Sequence, residues 1–233
     1  MYDYISILAG GLCPFSCPYC VGHEWDQSGP PRFGEGVGRF LLTNPAHEIS
    51  ISGCTSDPMA VPDWREVLHN ARLAQPEAVI SLHTAHLGEV LKNITVLPHF
   101  IGELCLTVRS GMSPGKVAAV VEHISSTGTA VRLSSVCTAE NRERYESGEF
   151  FNTYPAPRHT VRMNIFEPEQ EMLLPQGKWI RDVHGQPVFG WKGQEIAIWD
   201  FREANEVISA LYLWPDGQVR EQCYWTNLHP DEE

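Results

Sequence analysis

Short β-rich runs alternate with helical stretches through the first 167 residues of this 233-residue chain. The strands are predicted at residues 4–8, 48–52, 78–83, 103–109, 130–135 and 160–166. The helices are predicted at residues 36–44, 62–75, 87–94, 114–127 and 139–147, and Ser113, Pro114 and Gly128 suit the start and stop of the fourth. Because strands that alternate with helices form parallel sheets with right-handed crossovers, the pattern predicts an α/β fold of six β/α units.

Polar and apolar residues alternate along these strands. The polar positions are Ser50 and Ser52, Ser81 and His83, Thr107 and Arg109, Arg132 and Ser134, and Arg162 and Asn164. Successive side chains of a strand point to opposite faces, and strands buried on both faces of a parallel sheet are almost continuously apolar. We therefore expect helices to cover the apolar face and the polar face to line a lumen that serves as a reaction chamber.

Three of the seven cysteines lie within eight consecutive residues. Cys13, Cys17 and Cys20 have the spacing C-x3-C-x2-C on a loop that follows the first predicted strand. An odd number of cysteines in a chain without a secretion signal does not predict a disulfide framework. The three are interpreted as thiolate ligands that converge on one metal centre. The other four are scattered; Cys54, Cys105 and Cys137 are predicted to be small buried apolar residues, and Cys223 stands alone near the C-terminus.

The cysteine motif, with Tyr19 before its last cysteine, resembles the signature of the radical S-adenosylmethionine (SAM) superfamily. The resemblance implies a partial (β/α)6 barrel over residues 1–167 and a single 4Fe-4S cluster held by Cys13, Cys17 and Cys20. It also implies that the remaining iron binds SAM, which is reductively cleaved to a 5′-deoxyadenosyl radical that abstracts a hydrogen from the substrate. An electron donor such as flavodoxin or ferredoxin is the expected partner.

The resemblance also implies SAM-binding residues at the positions where this sequence matches the family. After the second strand the family has a Gly-Gly-Glu-like turn, and residues 52–58 match it in part, with Thr55 and Asp57 as the polar candidates. The alternative for Asp57 is a simple turn. The SAM-binding residues that the resemblance implies are Tyr19, Ser52, Gly53, Thr55, Asp57, Thr107, Arg109 and Ser134.

Three arginines on the polar face of the predicted strands are expected to project into the lumen, and they are Arg109, Arg132 and Arg162. Planar guanidinium groups recognise carboxylates and phosphates bidentately, so the three predict a small anionic substrate. The substrate-binding candidates are His83, Arg132, Arg162 and Asn164. The alternatives are internal ion pairs of these arginines with acids such as Glu48 and Glu103 and, for the His83-x2-His86 pair, capping of the next helix.

The charge of the chain excludes several classes of partner. Seventeen Lys and Arg against 29 Asp and Glu give a net charge of −12, which opposes binding to nucleic acid or to an anionic membrane. No apolar run approaches the roughly 20 residues of a membrane span, and the first four residues lack the basic segment of a signal peptide. We expect a soluble cytoplasmic protein that acts on a small molecule.

The last third of the chain, residues 168–233, is predicted to form a small antiparallel β-rich cap. Its strands are predicted at residues 187–191, 195–201, 208–214 and 219–225, with a hairpin turn at residues 214–218. The cap is expected to close the barrel, to supply substrate specificity and to exclude water. Its single cysteine, Cys223, cannot hold a second cluster.

Two other functions remain open at the level of sequence. The first is a radical SAM activase that abstracts a hydrogen from a partner enzyme. The second is a zinc-binding interaction module, because the spacing Cys17-x2-Cys20-x2-His23 is compatible with a Cys3His set of zinc ligands. Iron rather than zinc in anaerobically purified protein distinguishes the enzyme from the zinc module.

Overall fold

The structure is a computed structural model that describes residues 1–25, 28–164, 166–167, 177–183, 186–199 and 210–221. The chain divides into two compact units, of which the first comprises residues 1–104 and 208–233 and the second residues 105–207. The predicted domain boundary between residues 167 and 168 stays a prediction. Within the described ranges, no helix combines the length and the apolar character that crossing a membrane requires.

The first unit contains a mostly parallel sheet. Its strands are β1 (Tyr2–Gly10), β2 (Arg32–Phe33), β3 (Ala46–Gly53), β4 (Val79–Thr84), β11 (Ala210–Leu213) and β12 (Val219–Arg220). Its helices are α1 (Val37–Thr43), α2 (Trp64–Ala74) and α3 (Leu87–Lys92). The strand order is β12-β11-β1-β3-β4, in which β11, β1, β3 and β4 run parallel, whereas β2 and β12 pair antiparallel with β1 and β11.

Helix α2 illustrates how the helices of this unit cover the sheet. Its buried residues recur at helical spacing, and they are Trp64, Val67, Leu68 and Ala71. The buried Gln75 follows the helix and donates to the carbonyl of Leu41 at 2.7 Å, while its own carbonyl accepts from the backbone N–H of Ala46 at 2.8 Å. The side chain of the residue that ends α2 thus satisfies backbone groups where α1 ends and β3 begins.

The second unit also contains a sheet with a parallel part and an antiparallel edge. Strand β5 (Glu103–Thr107) crosses the boundary of the units along the chain. It is followed by α4 (Pro114–Ser126), β6 (Ala130–Cys137), α5 (Arg142–Glu146), α6 (Glu149–Thr153), β7 (Arg158–Met163), β8 (Lys178–Val183), β9 (Gln186–Trp191) and β10 (Gln194–Trp199). The order is β6-β7-β10-β9-β8, with β6, β7 and β10 parallel and the last two pairings antiparallel.

The predicted start and stop of α4 are confirmed. Pro114 occupies the first turn, Ser113 is the N-cap residue without a side-chain capping bond, and Gly128 has a φ of +84° just beyond the end. The helix buries Val117, Val120, Val121 and Ile124, which form one apolar face. The predicted helix at residues 139–147 is shorter than expected, because α5 begins only at Arg142, after the N-cap residue Asn141; Gly148 (φ +77°) separates it from α6.

Burial alternates along the strands of the second unit. Leu133 on β6 and Val161 on β7 are fully buried, while Arg132 and Arg162 on the opposite parity are partly exposed. On β10, Ile196 is fully buried and its neighbours are partly exposed. The predicted division of these strands into an apolar face and a polar face is therefore confirmed.

The C-terminal third differs from the predicted single antiparallel cap. The strands expected at residues 187–191 and 195–201 correspond to β9 and β10, and β10 extends the sheet of β7 in parallel. The strands expected at residues 208–214 and 219–225 correspond to β11 and β12, and β11 runs parallel to β1. The antiparallel hairpins are present, but each is attached to a different unit through a parallel strand. The predicted residues beyond 221 lie outside the described part.

Candidate functional site

The cysteine loop leaves the carboxyl end of β1 through a glycine. Gly11 has a φ of +96°, and a Cβ at this position would lie 2.4 Å from the carbonyl oxygen of Pro30. Only glycine adopts this conformation and permits this approach without strain. The chain is thereby turned directly from β1 into the segment that carries Cys13, Cys17 and Cys20.

The turn that follows β3 holds the beginning of this loop. The Thr55 hydroxyl accepts from the backbone N–H of Gly11 at 3.0 Å and lies 3.3 Å from the Gly11 carbonyl oxygen, to which it donates. Ser56 donates to the carbonyl of Leu12 at 3.2 Å, and the backbone N–H of Cys54 donates to the carbonyl of Ala9 at 2.8 Å. These bonds tie the loop to the end of the neighbouring parallel strand.

The three loop cysteines are free thiols at partly exposed positions. Burial raises the pKa of Cys13, and hydrogen bonds from the backbone N–H groups of Phe15 and Asp57 lower it in part. Cys20 lies close enough to Cys13 to raise that pKa further by electrostatic repulsion. The backbone N–H of Cys20 donates to the carbonyl of Cys17 at 3.1 Å, which closes a turn between these two cysteines.

The donor set of this loop fits an iron–sulfur cluster in its chemistry. Within the part of the chain that the structure describes, no three His, Cys, Asp or Glu side chains are grouped closely enough to hold a metal ion. The loop nevertheless offers three free thiols, and thiolates are the ligands that such clusters require. Two backbone N–H groups already point at the sulfur of Cys13, where they stabilise the thiolate form. Cluster ligation by the three cysteines stays a prediction.

Asp57 connects the turn after β3 with the end of β4. Its buried carboxylate accepts from the backbone N–H of Met59 at 2.9 Å, from the hydroxyl of Thr84 at 2.7 Å and from the backbone N–H of Ala85 at 2.6 Å. Burial raises the pKa of Asp57, and these three hydrogen bonds oppose the rise. The side chain is engaged inside the protein, as is that of Thr55, and their predicted roles in SAM binding stay predictions.

The other predicted residues of the first unit lie near the same strand ends. Ser52 and Gly53 end β3, and a Cβ at Gly53 would lie 2.4 Å from the carbonyl oxygen of Ser56. His83 lies on β4 and is partly buried. His86, rather than His83, caps the next helix, since its Nδ1 accepts from the backbone N–H of Glu89 at 3.3 Å.

Two contacts of the cysteine loop escaped the sequence analysis. The ring of Phe15, inside the motif, meets the His86 ring edge-on at 5.3 Å. Trp25, just after the motif, meets Trp214 edge-on at 5.0 Å, and both pack with the buried Cys54. No signal in the sequence connects Trp25 with a residue almost 200 positions away.

The predicted arginines belong to the second unit. Arg132 donates from Nη1 to the hydroxyl of Thr160 at 3.1 Å. The Nε of Arg162 is buried and has no hydrogen-bond partner within the described residues. Arg109 follows β5 and is partly buried. These positions are compatible with the predicted polar face, and their role in substrate binding stays a prediction.

The remaining predicted residues of this unit have structural partners. Asn164 donates to Glu167 at 2.9 Å and accepts from the backbone N–H of Phe166 at 3.3 Å, which stabilises the turn after β7. The carbonyl of Ser134 accepts from the backbone N–H of Val108 at 2.7 Å. Thr107 ends β5 and is partly buried.

The scattered cysteines are buried, as predicted. Cys54, Cys105 and Cys137 are each at most 6% exposed. Burial raises the pKa of both Cys54 and Cys137 to about 12, so these thiols are protonated at neutral pH. Cys223 lies outside the described residues.

Similarity to known proteins is found in structure and not in sequence. No protein-family model and no curated protein matches the sequence. SuiB of Streptococcus suis, in a crystal structure with the precursor peptide SuiA, is 16% identical with a TM-score of 0.53, and the match covers 70% of this chain and 40% of SuiB. BtrN in complex with AdoMet and 2-DOIA is 13% identical with a TM-score of 0.46, and coverage is 58% and 57%. 3-Hexulose-6-phosphate synthase is 10% identical with a TM-score of 0.41, and coverage is 74% and 70%.

The likeness to SuiB shows a common fold. The chain is an α/β protein with a mostly parallel sheet and antiparallel strands at its end, and the partial-barrel fold predicted from the sequence is confirmed. The chain spans less than two thirds of the length of SuiB and of BtrN.

Proposed function

We propose that this protein is a radical SAM enzyme in which Cys13, Cys17 and Cys20 hold a single 4Fe-4S cluster and a small anionic molecule is the substrate. One observation carries the proposal: a C-x3-C-x2-C loop leaves the carboxyl end of the first strand of a parallel α/β fold and is bound to the end of the neighbouring strand. In open and closed parallel α/β sheets, ligands bind at the carboxyl ends of the strands.

The fold supports the proposal independently of the cysteines. SuiB, whose fold the chain shares, is a radical SAM enzyme. The cysteine motif comes from the sequence and the α/β fold from strand and helix periodicity, and both support the proposal. The proposal also implies a one-electron donor, for which flavodoxin or ferredoxin is a suitable class of partner, and a cytoplasmic location.

The residues of the chain prepare the loop for a cofactor. When bound, the cluster and SAM supply a 5′-deoxyadenosyl radical that abstracts a hydrogen from the substrate. Thr55 fixes the start of the loop through Gly11, and the N–H groups of Phe15 and Asp57 hydrogen-bond to the sulfur of Cys13. Hydrogen bonds to a cysteine sulfur favour the thiolate, and in iron–sulfur proteins they contribute to setting the reduction potential.

Substrate binding is proposed for the polar face of the second unit. Arg132 and Arg162 lie on that face, and Arg162 has a buried Nε that lacks a partner within the described residues. A buried donor without an acceptor is destabilising unless a ligand supplies one. A carboxylate or phosphate is the acceptor that a guanidinium group binds best.

The test is anaerobic purification followed by analysis of iron, sulfide and zinc. We expect about four iron and four sulfide ions per chain, as in a 4Fe-4S cluster, a brown chromophore, and release of 5′-deoxyadenosine when dithionite and SAM are added. Cys17→Ala is expected to lose the chromophore, whereas the matched control Cys137→Ala, which removes a buried thiol of β6, is expected to keep it. A full cluster in Cys17→Ala would contradict the assignment of ligands.

The analysis of iron and zinc also tests the alternative that the protein is a zinc-binding module. The Nε2 of His23 lies 2.9 Å from the carbonyl oxygen of Cys17, so this nitrogen donates a hydrogen bond and offers no lone pair to a metal. That contact disfavours His23 as a fourth ligand through Nε2. One zinc per chain without iron would overturn the radical SAM proposal.

A further inference from the structure

The segment that leaves the cysteine loop is a series of tight turns. The backbone N–H of His23 donates to the carbonyl of Cys20 at 3.1 Å, and that of Trp25 donates to the carbonyl of Gly22 at 3.3 Å. A short 3-10 helix, Val21–Glu24, lies between Cys20 and Trp25. Because these hydrogen bonds run through the backbone, the position of Trp25 is coupled to that of Cys20.

Trp25 lies against an apolar cluster of the first unit. The cluster consists of Leu8 on β1, Cys54 directly after β3 and Trp214 directly after β11, each at most 6% exposed. The indole rings of Trp25 and Trp214 meet edge-on with their centroids 5.0 Å apart. Since β11, β1 and β3 are neighbouring parallel strands, Trp25 packs where three strand ends meet.

Gly22 lies where a side chain has no room. A Cβ at this position would lie 2.7 Å from the carbonyl oxygen of Cys54, 3.1 Å from the Cα of Thr55 and 3.3 Å from the Sγ of Cys20. Gly22 is buried and does not have a positive φ, so the close approach rather than the backbone conformation requires glycine. Burial raises the pKa of Cys54, and the nearby Cys20 raises it further by electrostatic repulsion. The backbone that follows Cys20 therefore packs directly on the turn after β3.

The ring of Trp25 acts through packing. Its indole N–H is buried and has no hydrogen-bond partner within the described residues. A phenyl ring therefore supplies the same kind of contact without a buried donor, whereas a methyl group does not. Phenylalanine is thus the conservative replacement at this position, and alanine is the disruptive one.

We propose that Trp25 and Gly22 are positioning residues that fix Cys20, the third of the predicted cluster ligands. Thr55 holds the start of the loop through Gly11, so the loop is fixed at both of its ends. Residues that orient metal ligands contribute to metal affinity although they do not touch the metal. The inference rests on the proposed function in one respect: the ligand role of Cys20 belongs to that proposal, whereas the fixing of the segment after it does not.

The first experiment measures backbone hydrogen exchange of the full chain without a cofactor, by mass spectrometry of overlapping peptides. We expect Trp25→Ala to raise the exchange rate of residues 20–25 at least about tenfold, because the loss of a packed aromatic side chain favours local opening by more than that factor. Residues 10–13, which Thr55 holds, should exchange as in the unmodified chain. Trp25→Phe should restore the rate of residues 20–25 to within about threefold.

Trp64→Ala is the matched control for general destabilisation. Trp64 is 5% exposed and belongs to the buried face of α2 in the same unit, not to the cysteine loop. We expect this variant to lower the free energy of unfolding and to leave the exchange of residues 20–25 within about threefold of the unmodified chain.

Gly22→Ala keeps the inference testable even if Trp25→Ala fails to fold. The added methyl group would press on the carbonyl oxygen of Cys54, so the exchange of residues 20–25 should rise as it does in Trp25→Ala. The matched control is Gly38→Ala on α1, where an added Cβ meets no atom within 4 Å. We expect Gly38→Ala to leave the exchange of residues 20–25 unchanged.

The second experiment connects this segment with the cluster. Each variant is reconstituted anaerobically with iron and sulfide, and the release of iron to an excess of chelator is followed by absorbance. We expect Trp25→Ala to release iron at least about tenfold faster than the unmodified chain, because a poorly oriented ligand weakens a metal site, and Trp25→Phe to release it at nearly the original rate. An unmodified chain that binds no iron would overturn the proposed function, while hydrogen exchange would still decide whether Trp25 fixes the segment.

Three results would overturn the inference. Equal exchange of residues 20–25 in Trp25→Ala and Trp64→Ala would mean that Trp25 contributes only to general stability. Equal exchange in Gly22→Ala and Gly38→Ala would refute the close packing of the segment on the turn after β3. Unchanged iron release in Trp25→Ala, from a chain that binds a full cluster, would show that the fixed segment does not position a ligand.

Discussion

Thr55 is the residue on which the position of the cysteine loop most directly depends. Replacement by valine retains the shape of the side chain and removes the hydroxyl that bonds to both the N–H and the carbonyl of Gly11. Thr55 is 5% exposed and Gly11 is buried, so water does not readily replace the lost partner. We therefore expect Thr55→Val to destabilise the first unit and to loosen the loop.

The magnitude follows from the two bonds. A buried polar group without a partner costs about 1–3 kcal/mol, and the bond to the Gly11 carbonyl is the longer of the two at 3.3 Å. The expected loss is therefore about 2–4 kcal/mol in the free energy of unfolding. The matched control is Thr43→Val, because the Thr43 hydroxyl also bonds to backbone carbonyls but is exposed to water. Its effect should stay within about 0.5 kcal/mol.

The assay is urea denaturation of both variants without a cofactor, combined with iron analysis after reconstitution. Thr55→Val should lower the midpoint without changing the dependence of stability on urea, and it should bind less iron than Thr43→Val. Equal midpoints for the two variants would refute the argument that this hydroxyl anchors the loop. A lower midpoint with unchanged iron binding would show that the anchor contributes to stability alone.

Two other predictions concern His159 and Gly11. Burial lowers the pKa of His159 to about 4 from 6.5, so the unfolded chain binds the proton more readily. The contribution of neutral His159 to the free energy of unfolding is therefore fully present above about pH 6.5 and falls by about 3 kcal/mol as the pH approaches 4. His159→Phe should flatten this part of the pH dependence measured by urea denaturation. An unchanged slope would contradict the assignment. Gly11→Ala should destabilise the chain more than Gly36→Ala in the same assay, since both glycines have positive φ but only the first faces a backbone atom at 2.4 Å, and equal losses would refute the steric argument.

The fold could be predicted because its signal is periodic and local. Strands β1, β3, β4, β5, β6 and β7 and their connecting helices repeat one pattern, and parallel pairing of consecutive strands follows from the helices between them. The cysteine motif is equally local, since its three residues share one loop. Both inferences required no knowledge of contacts between distant segments.

Arg158 was missed as a polar residue of β7 for a definable reason. The predicted strand began at residue 160, whereas β7 begins at Arg158. Arg158, Thr160 and Arg162 alternate on one face, but the shorter strand excluded the first of them. Boundaries of strands depend on pairing with β6 and β10, which a single sequence does not reveal.

The hydrogen-bonding of Thr55 and Asp57 could not be predicted either. Both were expected to face a cofactor because of their place after the second predicted strand. In the structure the carboxylate of Asp57 joins that turn to Thr84 and Ala85, and Thr55 joins it to Gly11. Which of two roles a polar turn residue fulfils depends on the segments packed against it, and those are distant in sequence.

The division of the C-terminal third between the two units gives its strands different tasks. The turn after β11 packs against the cysteine loop: a Cβ at Gly10 would lie 2.4 Å from Pro215, and Trp214 packs on Trp25. The loop is thus supported both by the turn after β3 and by this hairpin. Strands β8 and β10 instead carry Arg181 and Glu195, which bind each other bidentately within the second unit. A segment expected to form one cap therefore supports the cysteine loop in the first unit and forms an ion pair in the second unit.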